Sequence, residues 1–207
     1  MGYTDATKGT QEHPIDPERF DFVPKKKPLV SSSVLGMALF VFVELMLFMG
    51  MVSSYLIVRT NAVGGEWPPP DQPTLPIMQT AFNSIALLLS GFLLYRAHRM
   101  FRKDAKVPTQ LLAWTFGLGA YFVAAQGMEW VALIRQGLTL QSSSHGSFFY
   151  LIIGTHGLHA VAALVFLGMT WWGAKKDRFN ASLFYASEVF WYFVVGVWPL
   201  LYWLVYL

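Results

Sequence analysis

The chain has 207 residues, of which 55% are hydrophobic and 16% aromatic but only 13% charged, and its mean hydropathy is positive at +0.43. This composition lies outside the usual range of soluble globular domains and predicts an integral membrane protein. Cysteine is absent, which excludes disulfide frameworks, thiolate metal sites, thiol nucleophiles and iron–sulfur clusters. No phosphate-binding loop, nucleophile triad or nucleic-acid-binding motif is present, so we expect no nucleic-acid partner.

The first 30 residues are polar. They are rich in Pro, Asp, Glu and Lys and show no apolar periodicity, which is typical of an extended arm rather than a folded domain. We therefore predict that residues 1–30 form a cytoplasmic arm and that residues 31–207 form the membrane domain.

Five stretches of the remaining chain are nearly free of charge, and each is long enough to cross a bilayer as an α-helix. The expected helices cover residues 31–59, 75–98, 108–134, 146–173 and 180–206. The sequence thus predicts an all-α integral membrane protein built as a bundle of five transmembrane helices.

The distribution of cationic residues sets the expected orientation, because Lys and Arg accumulate in cytoplasmic loops. Of 15 Lys and Arg residues, only Arg59 and Arg135 lie in the first and third loops. The other cationic residues lie in the N-terminal arm and in the second and fourth loops. A five-helix bundle with its N-terminus inside and its C-terminus outside satisfies every loop at once.

Three carboxylates fall within the predicted spans. Glu44 lies roughly 11 residues into its helix, about 17 Å, which is close to the midplane of the bilayer. A carboxylate at that depth should be protonated unless a cation or several donors reach it, and it either bonds across helices or has a functional role. We select all three as buried membrane carboxylates; the alternative for Glu129 in the outer third and for Glu188 about two turns from the inner face is an interfacial acid.

His156 and His159 lie in a run that contains no Asp, Glu, Lys or Arg. They are three residues apart and share one helix face, and Gly157 between them permits close approach of another helix. Di-metal sites in bundles use Glu-x-x-His pairs, and the chain has none. We therefore predict interhelical polar roles for His156 and His159 without a metal, and likewise for Gln126 and Asn83.

Several local patterns, taken in chain order, resemble subunit III of the haem–copper oxidases, in its short five-helix form, over Val34 to Leu207. The patterns are Phe42-Val43-Glu44 with Gly50, Trp67-Pro68-Pro69, Asn83 with Ser90-Gly91, Gln126-x-x-Glu129, Gly146-Ser147, Gly154-x-His156-Gly157-Leu158-His159, and Trp191 through Trp198 with a Tyr-rich end.

The resemblance implies a non-catalytic subunit of a proton-pumping terminal oxidase, with cytochrome c oxidase favoured, in the cytoplasmic membrane of a bacterium. Such a chain packs against oxidase subunit I, joins subunit II and other respiratory-complex subunits, binds phospholipid and supports proton uptake. Haem and copper are expected in the partner subunits and no redox centre in this chain. Glu44 matches the buried membrane glutamate of the family.

One departure from the family pattern occurs in the fifth helix. Many members read Trp-His-Phe-x-Asp there, whereas Trp191 in this chain is followed by Tyr192-Phe193-Val194-Val195. The missing His and Asp put in question any hydrogen-bond network that they would share with His156 or His159.

Other functions remain open at this point. The chain could accompany a nitric oxide reductase or a quinol oxidase, act as a membrane metalloenzyme through His156 and His159, or transport a solute with Glu44 as its proton site. Metal content of the isolated chain and solute flux through liposomes containing it would separate the last two from an oxidase subunit.

The orientation can be tested by single-cysteine labelling, because the native chain has no cysteine. A cysteine at position 72 should react with a membrane-impermeant thiol reagent from outside the cell, and one at position 103 only after the membrane is opened. Labelling of both in permeabilised cells is the control. The reverse accessibility pattern would contradict the predicted topology.

Overall fold

The computed structural model describes residues 32–62, 67, 73–104 and 107–207. Five α-helices lie in these ranges: α1 Ser32–Thr60, α2 Ile77–Asp104, α3 Thr109–Arg135, α4 Ser144–Lys175 and α5 Ala181–Tyr206. Each is long and apolar enough to cross a membrane, and no strand occurs in the described ranges. The predicted all-α five-helix membrane bundle is confirmed. The predicted arm of residues 1–30 lies outside the described residues.

The helix ends differ from the sequence-based bounds mainly in α2, which continues to Asp104 instead of ending at residue 98. Its last turns carry Arg102 and Lys103, whose positive charge is favourable at a helix C-terminus. The guanidinium of Arg99 lies 5.9 Å from the centre of the Tyr95 ring. Long cationic side chains of this kind let a helix run into the headgroup region while the charges reach water.

Side-chain caps define where α4 and α5 begin. The Ser143 hydroxyl accepts a hydrogen bond from the Gly146 amide at 3.0 Å, and the Asn180 side chain accepts from the amides of Ser182 and Leu183. Both residue types are favoured at this position because they satisfy amides that have no partner in the first turn. Within α5, the helix continues through Pro199.

Helix α5 lies at the centre of the bundle and packs against α1, α2 and α4, while α3 packs between α2 and α4. In the most apolar 18-residue window of each helix, 50% of the α5 residues are buried but only 11% of those of α1. The chain therefore has a well-packed four-helix part, α2 to α5, and one helix, α1, that leaves most of its surface uncovered.

Two buried tryptophans of α5 connect this helix to α2. The Trp191 indole N–H donates to the Ser90 hydroxyl at 3.1 Å, and the Trp198 N–H donates to the Ser84 hydroxyl at 2.7 Å. Both rings are almost fully buried. An indole in the membrane interior needs such a partner, since lipid offers none.

Gly119 of α3 provides the space for the Trp191 ring. A Cβ atom at position 119 would lie 2.6 Å from two ring carbons of Trp191 and 2.9 Å from a Leu164 methyl group. The absence of a side chain at Gly119 thus allows α3 to approach both α4 and α5.

We predict that Gly119→Ala lowers the free energy of unfolding by about 1–3 kcal/mol, the usual cost of overpacking. Gly117→Ala, two residues earlier on the same helix, is the matched control, because a Cβ there meets nothing within 4 Å. Thermal unfolding of the detergent-solubilised protein, followed by near-ultraviolet circular dichroism, measures the difference. Equal unfolding temperatures for the two variants would contradict the proposed packing.

Candidate functional site

The polar side chains inside the bundle form three carboxylate centres at different depths, and each centre joins residues from two or more helices. Glu44 meets α4, Glu129 meets α2, and Glu188 meets α2. Because lipid supplies no hydrogen-bond partner, carboxyl groups in these helices must be satisfied within the protein or by a neighbouring molecule.

The first centre joins α1 to α4. Glu44 Oε2 lies 3.0 Å from His159 Nε2, which is within ion-pair distance, although the pair does not form an aligned hydrogen bond. Both side chains are largely buried, with exposed fractions of 16% for Glu44 and 11% for His159. Aromatic rings of Phe48, Phe190 and Phe193 surround the imidazole, so this polar pair is enclosed by apolar groups.

The contact made by Nδ1 of His159 shows where one hydrogen of the imidazole lies. His159 Nδ1 lies 2.7 Å from the Thr155 carbonyl oxygen, and a carbonyl only accepts, so Nδ1 carries a hydrogen. If the imidazole is neutral, Nε2 is an acceptor and its natural partner is a protonated Glu44. If the proton is on Nε2, the pair is an imidazolium and a carboxylate. In either arrangement, one proton resides on Glu44 or on Nε2 of His159.

The second centre is a fully hydrogen-bonded carboxylate. Glu129 accepts from the Thr80 hydroxyl at 2.8 Å, the Asn83 amide at 2.9 Å and the Gln126 amide at 2.7 Å. The Gln126 amide nitrogen also lies 3.2 Å from the Tyr206 hydroxyl. The three donors come from α2 and α3, and Tyr206 at the end of α5 joins the cluster by accepting from Gln126. The structure therefore places three of the sequence-predicted polar residues, Asn83, Gln126 and Glu129, in one cluster.

The third centre contains a residue that the sequence interpretation did not select. Glu188 Oε2 lies 2.7 Å from His98 Nδ1, and its other oxygen accepts from the Tyr192 hydroxyl at 2.9 Å. His98 stands between Arg96 and Arg99, at the end of the helix predicted over residues 75–98. Helical periodicity places His98 on the same face as Leu94 and Ala97, which are buried, and this pattern could have identified it.

Glu129 and Glu188, selected as buried membrane carboxylates, do not take the interfacial position that was their alternative. Their exposed fractions are only 3% and 6%, so both side chains point between helices rather than towards the membrane surface. Both lie well away from the middle of their helices, and each has a hydrogen-bond partner on another helix.

His156 and His159 share a helix face, but their surroundings differ. The His156 ring stacks on Trp198, with centres 5.2 Å apart and planes at 29°. Neither of its nitrogens has a hydrogen-bond partner among the described residues. The two histidines therefore do not act as a pair. Across the described ranges, no three His, Asp or Glu side chains converge as a metal site requires.

At positions 192 and 195, where many family members have His and Asp, this chain has Tyr and Val, and both side chains make other contacts. Tyr192 donates to Glu188. The side chain of Val195 packs over Gly91, where an added Cβ would lie 3.0 Å from a Val195 methyl carbon. In this chain these two positions therefore serve the contact between α2 and α5.

Taken together, the fold and its interior define a polytopic all-α membrane protein whose buried carboxyl groups pair with histidine or amide side chains between helices. Comparisons with known proteins give its family. Residues 24–207 match the family described as Cytochrome c oxidase subunit III, and the chain belongs to this family.

Individual relatives agree with that assignment. The chain is 32% identical over 181 residues to cytochrome c oxidase subunit 3 of Synechocystis sp., covering 84% of this chain and 75% of the relative. It is 34% identical over 170 residues to a probable cytochrome c oxidase subunit 3 of Mycobacterium tuberculosis, covering 79% and 81%. For the subunit 3 of Lycodon semicarinatus the identity is 33% over 179 residues, covering 83% and 67%.

We predict that the Glu44 carboxyl is protonated in the assembled protein at pH 7, because two separated charges at this depth would each lose hydration. Infrared spectroscopy of Glu44→Gln should show the loss of a protonated-carboxyl band. In His159→Leu that band should shift, since its partner is removed. Glu188→Gln is the control for bands of other carboxyl groups. Loss of an ionised-carboxylate signal in Glu44→Gln would show the opposite assignment.

Proposed function

We propose that this chain serves as a non-catalytic subunit of a proton-pumping cytochrome c oxidase, packing against subunit I in the cytoplasmic membrane of a bacterium. Family membership supports a place in an oxidase complex. The relatives named cytochrome c oxidase subunit 3 favour that enzyme over a quinol oxidase or a nitric oxide reductase. Haem, copper and the site of oxygen reduction belong to the partner subunits in this proposal.

The observation that carries the proposal is the uncovered apolar surface of α1. Phe42, Val43, Met46 and Met49 are each about three-fifths exposed. Phospholipid or a transmembrane helix of subunit I can cover such side chains in the membrane. The Glu44 and His159 pair lies directly behind this surface, so whatever covers α1 also controls water access to the proton that the pair holds. In this proposal, bound lipid and subunit I cover the apolar surface of α1 together, and each thereby stabilises the contact of the other with this chain.

A role in proton uptake follows from the same arrangement. A single proton shared between Glu44 and His159 can move by a small change in hydrogen bonding, without a charge entering or leaving the pair. The orientation proposed from the cationic loops places the N-terminus in the cytoplasm, with the charged ends of α2 and α4 on the side from which protons are taken.

Deletion of the chain tests the accessory role. We predict that an oxidase lacking this subunit keeps its haem and copper absorption and its initial turnover, but loses activity during sustained turnover, because a lipid-covered face of subunit I becomes accessible to water. The measurements are the optical spectrum and oxygen consumption over time. Re-expression of the native chain is the control and should restore lasting activity.

Two outcomes would contradict the proposal: unchanged assembly, turnover and durability after deletion, or haem bound to the isolated chain. Complementation with Glu44→Gln distinguishes a direct role in proton uptake from a role in stabilising the complex. Durable turnover with slower proton uptake would support a direct proton role, whereas native behaviour would leave stabilisation as the function.

A further inference from the structure

A cleft between α3 and α4 contains buried polar groups that nothing in the described chain satisfies. The cleft has a volume of about 320 Å³ and is lined by Gln126, Trp130 and His156 among apolar residues. Within the described residues, Gln126 Oε1, Trp130 Nε1 and both nitrogens of His156 have no hydrogen-bond partner. His156 is 1% exposed and Gln126 5%. Unpaired polar atoms in an apolar site are costly, so this group indicates a ligand.

The shape of the cleft also indicates an occupant. Gly127 and Gly154 line it, yet a Cβ at Gly127 would meet nothing within 4 Å and one at Gly154 only a Trp130 ring carbon at 3.9 Å. Packing within the chain therefore does not require glycine at these two positions. Their effect is to keep the cleft wide.

The cleft opens sideways towards lipid. Leu158 and Val161 on its edge are 70% and 47% exposed. Trp130 lies five residues from the end of α3, about 8 Å, and His156 twelve residues from the start of α4, about 18 Å. A molecule that enters must therefore come from the hydrocarbon region. It must also be uncharged, because no Asp, Glu, Lys or Arg is among the lining residues.

The hydrogen-bonding capacity of the unpaired atoms limits which functional groups the molecule in the cleft can carry. The Trp130 indole can only donate, Gln126 Oε1 can only accept, and a neutral imidazole at His156 offers one donor and one acceptor. The Gln126 amide is held in this orientation because its nitrogen donates to Glu129. The site thus presents two donors and two acceptors, the complement of two hydroxyl groups.

We propose that this cleft binds the head ring of a membrane quinol. A quinol is uncharged, dissolves in lipid and carries two hydroxyl groups, and its flat ring suits walls that include Phe122, Trp130 and Trp198. The cleft volume lies at the lower end of the range for small-molecule sites, which fits a ring and the start of its isoprenoid tail. An acyl chain of the same size would leave all the polar atoms unpaired. The proposal concerns binding alone and is independent of the oxidase role.

Photoaffinity labelling of the intact complex tests it, with an azido-ubiquinol analogue carrying a short isoprenoid tail as the probe. Saturable cross-links should map to peptides from residues 122–130 or 154–161 and should be displaced by unlabelled ubiquinol but not by phosphatidylglycerol. Gly127→Leu, which fills the cleft, should weaken labelling by about tenfold or more. Gly117→Leu is the matched control, because position 117 on the same helix is also unobstructed but does not line the cleft.

His156→Phe provides a second variant that keeps the ring on Trp198 and removes both nitrogens. It should also weaken labelling by about tenfold, as expected for the loss of one or two hydrogen bonds. Labelling that does not saturate, that is equal in Gly127→Leu and Gly117→Leu, or that phosphatidylglycerol displaces as well as ubiquinol would overturn the proposal. The last result would identify the occupant as an acyl lipid.

Discussion

The bundle depends on one constraint: a polar side chain in a transmembrane helix must find its partner on another helix or in a bound molecule. Helices α2 and α3 meet at Glu129, α2 and α5 at Glu188, and α1 and α4 at Glu44. Each contact forms at one register of the two helices, because a shift by one turn, about 5.4 Å, would leave a carboxyl group unpaired. Apolar packing alone is less selective, since lipid is as apolar as leucine.

These polar contacts are distributed unevenly among the helices: α5 makes several of them, whereas α1 makes few. Helix α5 is held by the indole bonds of Trp191 and Trp198 as well as by Glu188. Helix α1 has Glu44 near its middle and Arg59 at its end, where the guanidinium donates to the Leu204 carbonyl at 3.3 Å. A helix with so few polar contacts and so much exposed apolar surface can adjust to a neighbouring subunit without disturbing the other four. The Glu44 and His159 pair lies at this contact between α1 and α4.

The number and type of helices could be predicted from the sequence because charge is excluded from the hydrocarbon region whatever the packing. The partners of the buried residues could not, because they depend on the rotation of each helix about its axis. Asn83, Gln126 and Glu129 could be selected individually, but their common cluster requires Thr80 and Tyr206, which look unremarkable in sequence. His98 was missed because the cationic residues around it suggested an exposed helix end, whereas α2 continues to Asp104 and His98 contacts Glu188 of α5.

His156 and His159 show why spacing alone does not assign a role. They lie one turn apart on α4, yet His159 lies beside the carboxyl group of Glu44, whereas His156 stacks on the indole ring of Trp198. The difference arises from the helix that each one meets: α1 brings Glu44 to His159, while α5 brings Trp198 to His156. A histidine paired with an acid can hold a proton. One stacked on an indole with both nitrogens unpaired can instead hydrogen-bond a neutral molecule, so adjacent turns of one helix offer two different kinds of chemistry.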